Sequence, residues 1–301
     1  MPSSPPRPAG ELRRPPSWVL AGSPALRSRL GAARRGVTET AQRADPSRLR
    51  LRRLQDGRGT AVVCVYRRRN AEVVAAALSS LPQGTCVRLW ALDAVAPALA
   101  DRTSGTGPGT RFALLNALVR TLPPGVADRA LVLLDDDVRF VVGGLDALLG
   151  TGLQAGLDLF QPSHTARSIA SYGFVRRGWG CVVRRTTFVE QGPVVVLSSA
   201  AQRILLPLPE DVGMGWGVEV RWSGLIARHA LAMGVVDAVG LRHLSPPGGE
   251  YDRAAAERVL AEALSAAGLS SLSELQRDLH RASVGARDLC PSAPQGPRTG
   301  G

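Results

Sequence analysis

The chain has 301 residues, 45% of them apolar and 21% charged, enough to bury a full core in one large domain or two small ones. All 37 basic residues are arginine against 25 acids, and thirteen of the arginines fall in residues 1–60 beside only Glu11, Glu39, Asp45 and Asp56. Cys64, Cys86, Cys181 and Cys290 lack C-x-x-C spacing, which suggests neither a zinc cage nor a dense disulfide framework, and no apolar run approaches the ~20 residues of a membrane span.

The positive charge is therefore mostly a property of the leader. Such a leader attracts anionic polymers weakly, and nucleic acid is not the expected partner. "SWVLAG" at 17–22 is too short for a signal-peptide core, so the protein reads as cytoplasmic.

Residues 1–57, rich in Pro and Arg without a sustained apolar period, read as a disordered tail. Residues 58–252 read as one α/β domain, 253–289 as C-terminal helices, and 290–301 as a second disordered tail. Within the domain, "TAVVCVY" (60–66) is a continuous β-branched run, the mark of a strand covered on both faces. "NAEVVAAALSSLP" (70–82) follows as a helix, with Asn70 as a candidate cap. "CVRLWALD" (86–93) is a second strand and "GPGTRFALLNALVRTLPP" (107–124) a second helix, with Thr110 as its candidate cap.

"RALVLLDDD" (129–137) is the third strand, "GGLDALLGTGLQAG" (143–156) the next helix, and "LDLFQPS" (157–163) and "GPVVVLSS" (192–199) are later strands. A helix begins near Glu219, a strand with His243 at its end covers 235–244, and "DRAAAERVLAEAL" and "SLSELQRDLHRA" are two terminal helices. This alternation argues for an α/β fold with a mostly parallel central sheet, whose ligands bind at the carboxyl ends of the strands. Tyr66, Arg67, Asp93 and the Asp135-Asp136-Asp137 run all sit at such ends.

Three adjacent carboxylates after a buried strand need a partner, which is solvent, an arginine or a metal ion. Strand alternation sends Asp135 and Asp137 to one side and Asp136 to the other, so one pair can converge on a hard cation. His243 is either a hydrogen-bonded surface residue or an imidazole ligand. Trp216, on the loop "GMGWG", is either a stacking platform or a plug. Glu219 is either a general base or a first-turn acid that favours the helix dipole.

In order and spacing these motifs resemble glycosyltransferases of the GT-A fold, family-2-like. The closest likeness is to an uncharacterised group with "DDD", "QP", "FVE", "GWG"-plus-acid and "VVD…H" segments, here at 135–137, 161–162, 188–190, 215–219 and 235–243. The resemblance spans about residues 60–245. It implies a metal-dependent, hexosyltransferase-like enzyme that moves a sugar from a nucleotide-diphosphate donor to an acceptor hydroxyl on a glycan, lipid, protein or small molecule.

By the same resemblance Asp135, Asp137 and His243 would hold Mn²⁺ or Mg²⁺. Tyr66, Arg67, Asp93, Arg111, Asn116 and Asp136 would border the nucleotide. Glu219 would be the catalytic base, while Glu190, Trp216 and Trp179 would meet the substrate. Segment 171–180, with Tyr172, Arg176 and Arg177, would be a loop over that site. Glu219 stands where the group more usually has Asp, one methylene shorter.

Two other readings compete. An aspartate-nucleophile phosphohydrolase carries its Asp-x-Asp on the first strand and a lysine later; here the motif is on the third strand and the chain has no lysine. A non-catalytic module of the same fold, holding nucleic acid or another anionic polymer through its basic tail, is the alternative that remains.

Overall fold

The computed structural model describes residues 24–212, 215–245 and 253–285. The described residues begin with a helix, α1 (Pro24–Arg43), and a 3-10 turn at Pro46–Arg50, before β1 (Thr60–Tyr66), α2 (Ala71–Leu78), β2 (Cys86–Ala91) and β3 (Thr103–Thr106). Next come α3 (Arg111–Arg120), β4 (Ala130–Asp135), β5 (Val138–Val142), α4 (Leu145–Gln154) and β6 (Leu159–His164). The chain continues through β7 (Cys181–Thr186), β8 (Val194–Ser198), α5 (Ser199–Leu205), α6 (Val218–Arg228), β9 (Met233–His243), α7 (Arg253–Ala266) and β10 (Asp278–Ser283).

The strands form one ten-stranded sheet in the order β10-β7-β9-β6-β8-β4-β1-β2-β3, with β5 paired to β9 off this path. Strands β1 to β4 form a parallel block, and β6 pairs parallel with β9. β8 is inserted antiparallel between β4 and β6. Only β5, β7 and β8 run against the rest, so the sheet is mixed in its pairings and largely parallel in direction.

The sheet is covered on both faces, which explains the unbroken apolar runs of its strands. Along β1, Val62, Cys64 and Tyr66 pack with Val74 and Leu78 of α2 and Leu148 of α4. Ala61 and Val63 pack with Phe112 and Leu115 of α3 and Trp222 of α6 on the other face.

The structure corrects four local expectations. The disordered leader is not disordered over residues 24–57, because Glu39, Asp45 and Ser47 are buried against the sheet, where arginines and backbone N–H groups hold them. Residues 1–23 and 290–301 lie outside the described residues. The second C-terminal helix is instead a 3-10 turn at Leu272–Leu275 and an edge strand, β10, which gains a backbone ladder from β7. Asn70 and Thr110 make no side-chain cap; the Asn70 amide donates to Asp136 instead. Among the described residues, no helix is long and apolar enough to cross a membrane.

Candidate active site

Two ladder registers assemble the site. β4 and β8 run antiparallel with Leu134 opposite Val194, and the Asp135 N–H donates to Pro193 O at 2.9 Å. The start of β8 therefore lies beside the end of β4, and Glu190 and Gln191 come alongside the aspartates. β5 and β9 run antiparallel with Val138 opposite His243. This brings the end of the late strand to Asp137, whose Oδ1 is 3.2 Å from His243 Nε2.

A cavity of about 760 Å³ opens here, at the carboxyl ends of β1, β2 and β4. Its walls include Arg67, Asp93, Arg111, all three aspartates, Glu190, Trp216, Glu219 and His243. Its size is that of a small-molecule site, commonly ~300–1,000 Å³.

The three aspartates have three different partners. Asp135 accepts from Arg111 Nε at 2.7 Å, and Arg111 also donates to Gln191 Oε1 at 2.5 Å. Asp136 turns back to accept from Arg67 N at 2.7 Å and Asn70 Nδ2 at 2.9 Å; burial nevertheless raises its pKa. Asp137 accepts from Ser245 N at 3.2 Å as well as facing His243. Burial works to raise Asp137, but the bonds from His243 and Ser245 win and hold it below the usual carboxylate range. Burial lowers His243, and the Asp137 bond and charge outweigh it, so the imidazole is raised.

Asp137 and His243 fit one divalent cation. Two ligand atoms each ~2.1 Å from a cation and at right angles to it lie about 3 Å apart, close to the observed 3.2 Å. The buried His243 Nδ1 has no hydrogen-bond partner. Asp135 is taken by Arg111, and among the described residues no cluster of three or more His, Cys, Asp or Glu forms a complete cage. A site with two protein ligands suits cations whose remaining positions are filled by water and substrate phosphates.

Two further carboxyls face the cavity. Glu219 lies in the first turn of α6, and its loop turns sharply at Gly215 (φ 91°) and Gly217 (φ 87°), conformations that favour glycine and carry Trp216 to the cavity wall. Burial raises Glu219 to about 7, and its Oε2 is buried without a hydrogen-bond partner. Burial likewise raises Glu190 to about 7. Its Oε2 lies 3.6 Å from Nε2 of fully buried His164, and neither atom has a hydrogen-bond partner. Burial lowers His164 to about 3, which favours the neutral imidazole.

Several sequence candidates fall elsewhere. Alternation along β1 turns Tyr66 to the α2 face, where its ring is fully buried and its hydroxyl meets Thr103 Oγ1 at 3.0 Å and Ala96 N at 3.1 Å. Asn116 is buried in α3 and holds the backbone of Leu208 through its N–H and C=O. Trp179 is 64% exposed and does not line the cavity. In the same loop Arg176 bonds Thr165 O, and Arg177 is buried against Ala238 O and Ser47; Ser171 and Tyr172 do line the cavity. Asp93 stands on the rim, held below its usual range by the N–H groups of Arg68 and Ala94.

Sequence reasoning missed His164 and Gln191. His164 directly follows the quoted "FQPS" strand, yet nothing local distinguishes it from a core histidine. Gln191 directly follows the quoted "FVE" segment.

No family model matches the sequence, and no curated protein matches it. Among solved structures, the fold is similar to GalNAc-T7, crystallised with UDP, GalNAc and Mn²⁺, at 10% identity and a TM-score of 0.50, over 68% of this chain and 48% of that one. The chain thus spans about half the length of that protein. TarS 1–349 of S. aureus, in complex with UDP, aligns at 10% identity and a TM-score of 0.42, over 68% of this chain and 70% of that chain. The likeness to GalNAc-T7 defines the class of the fold: an α/β chain of the GT-A type.

Proposed function

We propose that the protein is a metal-dependent glycosyltransferase using a nucleotide-diphosphate sugar. The observation that supports this most is the convergence of Asp137, His243, Arg111 and two buried carboxyls, Glu190 and Glu219, on one cavity at the carboxyl ends of parallel strands. GalNAc-T7, of the same fold, was crystallised with UDP and Mn²⁺.

Asp137 and His243 would hold Mn²⁺ or Mg²⁺, which when bound supplies positive charge to the oxygens of the departing diphosphate. Arg111, in the first turn of α3, adds its own charge beside Asp135 and the same oxygens. Asp93 and Arg67, on the rim, border the nucleoside. Trp216 offers an aromatic face to a sugar ring, and Glu190 accepts hydrogen bonds from its hydroxyls.

Glu219 takes the proton of the acceptor hydroxyl. That oxygen bonds to the anomeric carbon as the bond from this carbon to the diphosphate breaks, and the nucleoside diphosphate leaves with the bonding pair. A buried carboxyl titrating near 7 is matched to this work.

The test is calorimetric titration of the full chain with UDP, GDP, TDP and ADP, with and without Mn²⁺. Metal-dependent binding of one of them, lost in Asp137→Asn, is expected. Binding of none by the folded chain would remove the reading and leave the anionic-polymer module.

A further inference from the structure

The leader helix α1 ends against the candidate site from behind. Glu39 is 3% exposed. Its Oε1 accepts from Thr165 Oγ1 at 2.7 Å and from Arg242 Nε at 3.3 Å, and its Oε2 accepts from Arg242 NH2. One turn on, Gln42 Oε1 accepts from the N–H of Ala166 at 2.9 Å. Two side chains on one helix face thus grip two chain segments, the turn after β6 and the end of β9.

Both segments lead directly to His243. Arg242 is its neighbour on β9, and adjacent strand residues point to opposite faces, so Glu39 holds the strand from the side away from the cavity. From Thr165 the path runs through Ser168, whose N–H donates to Thr165 O at 3.0 Å and whose Oγ accepts from the N–H of His243 at 2.9 Å. The N–H of Ile169 closes the same turn on His243 O at 3.2 Å.

Over residues 31–43 the attachment is polar rather than apolar. No described side chain of α1 belongs to a hydrophobic cluster, and Val37 is 73% exposed. Directional charge-assisted bonds set position more than they add stability.

We infer that α1 is a buttress of the active site and that Glu39 is a positioning residue, holding the Arg242–His243 backbone so that the imidazole meets Asp137. This rests on the reading of Asp137 and His243 as the cation-holding pair. It makes residues 36–50 part of the working domain, against the boundary at residue 58 that the sequence suggests.

The test is Mn²⁺ binding to the full chain, read from the loss of the free-ion electron paramagnetic resonance signal, with melting temperature measured in parallel. The wild-type chain is expected to bind Mn²⁺ and His243→Ala to lose it. Glu39→Gln is expected to weaken binding at least fivefold. Asp45→Asn serves as the structural comparator. Its carboxylate accepts from Gly180 N on the other anchor of the same leader, so it should lower the melting temperature and leave Mn²⁺ affinity unchanged.

If Glu39→Gln does not fold, Arg242→Lys, which keeps the charge but gives up the two-nitrogen grip, is measured in its place. Wild-type Mn²⁺ affinity in Glu39→Gln, with binding lost in His243→Ala, would overturn the buttress and leave the cation pair standing. No Mn²⁺ binding by the wild-type chain would overturn both.

Discussion

His243 Nε2 lies 3.2 Å from Asp137 Oδ1 because the β5–β9 ladder sets Val138 opposite His243. A slip of one residue in that ladder would turn the imidazole to the opposite face. The pair is therefore set by the register of the sheet beside the turn that carries Asp137.

Asp137→Asn leaves the side chain's size unchanged and removes the negative charge facing His243. Affinity for Mn²⁺ is expected to fall at least ~10–100-fold, the scale seen when even an outer partner of a ligand is removed. Calorimetry with Mn²⁺ and a nucleoside diphosphate measures it; unchanged affinity would exclude Asp137 as a ligand.

Glu219→Gln separates chemistry from binding. As general base, Glu219 accounts for ~10²–10⁴ in kcat, so the variant should lose that factor with nucleotide affinity unaltered. In the wild-type chain kcat/KM should rise with pH through about 7, where this carboxyl titrates. A variant that turns over at the wild-type rate would remove the assignment.

The same carboxyl carries a stability signature. Burial raises it from 4.5 to about 7, so the fold disfavours its ionised form. Its contribution is fully present below pH 4.5, declines as pH rises toward 7, and is gone above. Glu219→Gln should therefore melt higher than wild type at pH 8, by of order 3 kcal/mol at most, and not at pH 4. Parallel melting curves across that range would reveal a wrong sign.

Tyr66→Phe tests the core placement of that ring. The change leaves Ala96 N–H and Thr103 Oγ1 without the hydroxyl they share, at about 1–3 kcal/mol. Chemical denaturation should show that loss while nucleotide binding stays the same. A selective loss of binding would return Tyr66 to the cavity.

Asp237 and Arg184 form a buried ion pair, Oδ2 to Nε 2.6 Å, and Asp237 Oδ1 also accepts from Gly178 N at 2.8 Å. Asp237→Ala removes the closest carboxylate from a buried guanidinium, which keeps Asp278 Oδ1 at 3.2 Å and the carbonyls of Phe174 and Arg176, and is expected to cost up to about 3–5 kcal/mol. Asp56→Ala, which breaks the exposed pair with Arg58, should leave stability nearly unchanged, because solvent screens such pairs. Equal costs measured in urea would contradict the burial difference.

Local pattern was enough for much of the framework. The β-branched run at Thr60–Tyr66 is strand β1 residue for residue, and strands β2, β4, β6 and β8 lie within their expected runs or a residue beyond them. β1, β4, β6 and β8 are buried on both faces, so composition alone carries their signal, and half-buried β2 still reads from its apolar run. Gly-rich and polar β3 and the edge strand β10 carry no such signal: their neighbours β2 and β7 make them strands.

The sequence was sufficient to place acids, an arginine and a histidine at the ends of strands and to define an α/β chain, because periodicity and residue type are local properties. Which of them meet was settled by folding alone. Ladder register brought Asp137 to His243 and Glu190 to the aspartates; the pleat turned Tyr66 into the core; and Arg242 with Thr165 drew Glu39 of a leader that reads as disordered against the back of β9. Such pairings depend on contacts between segments far apart along the chain, and no local window of residues contains them.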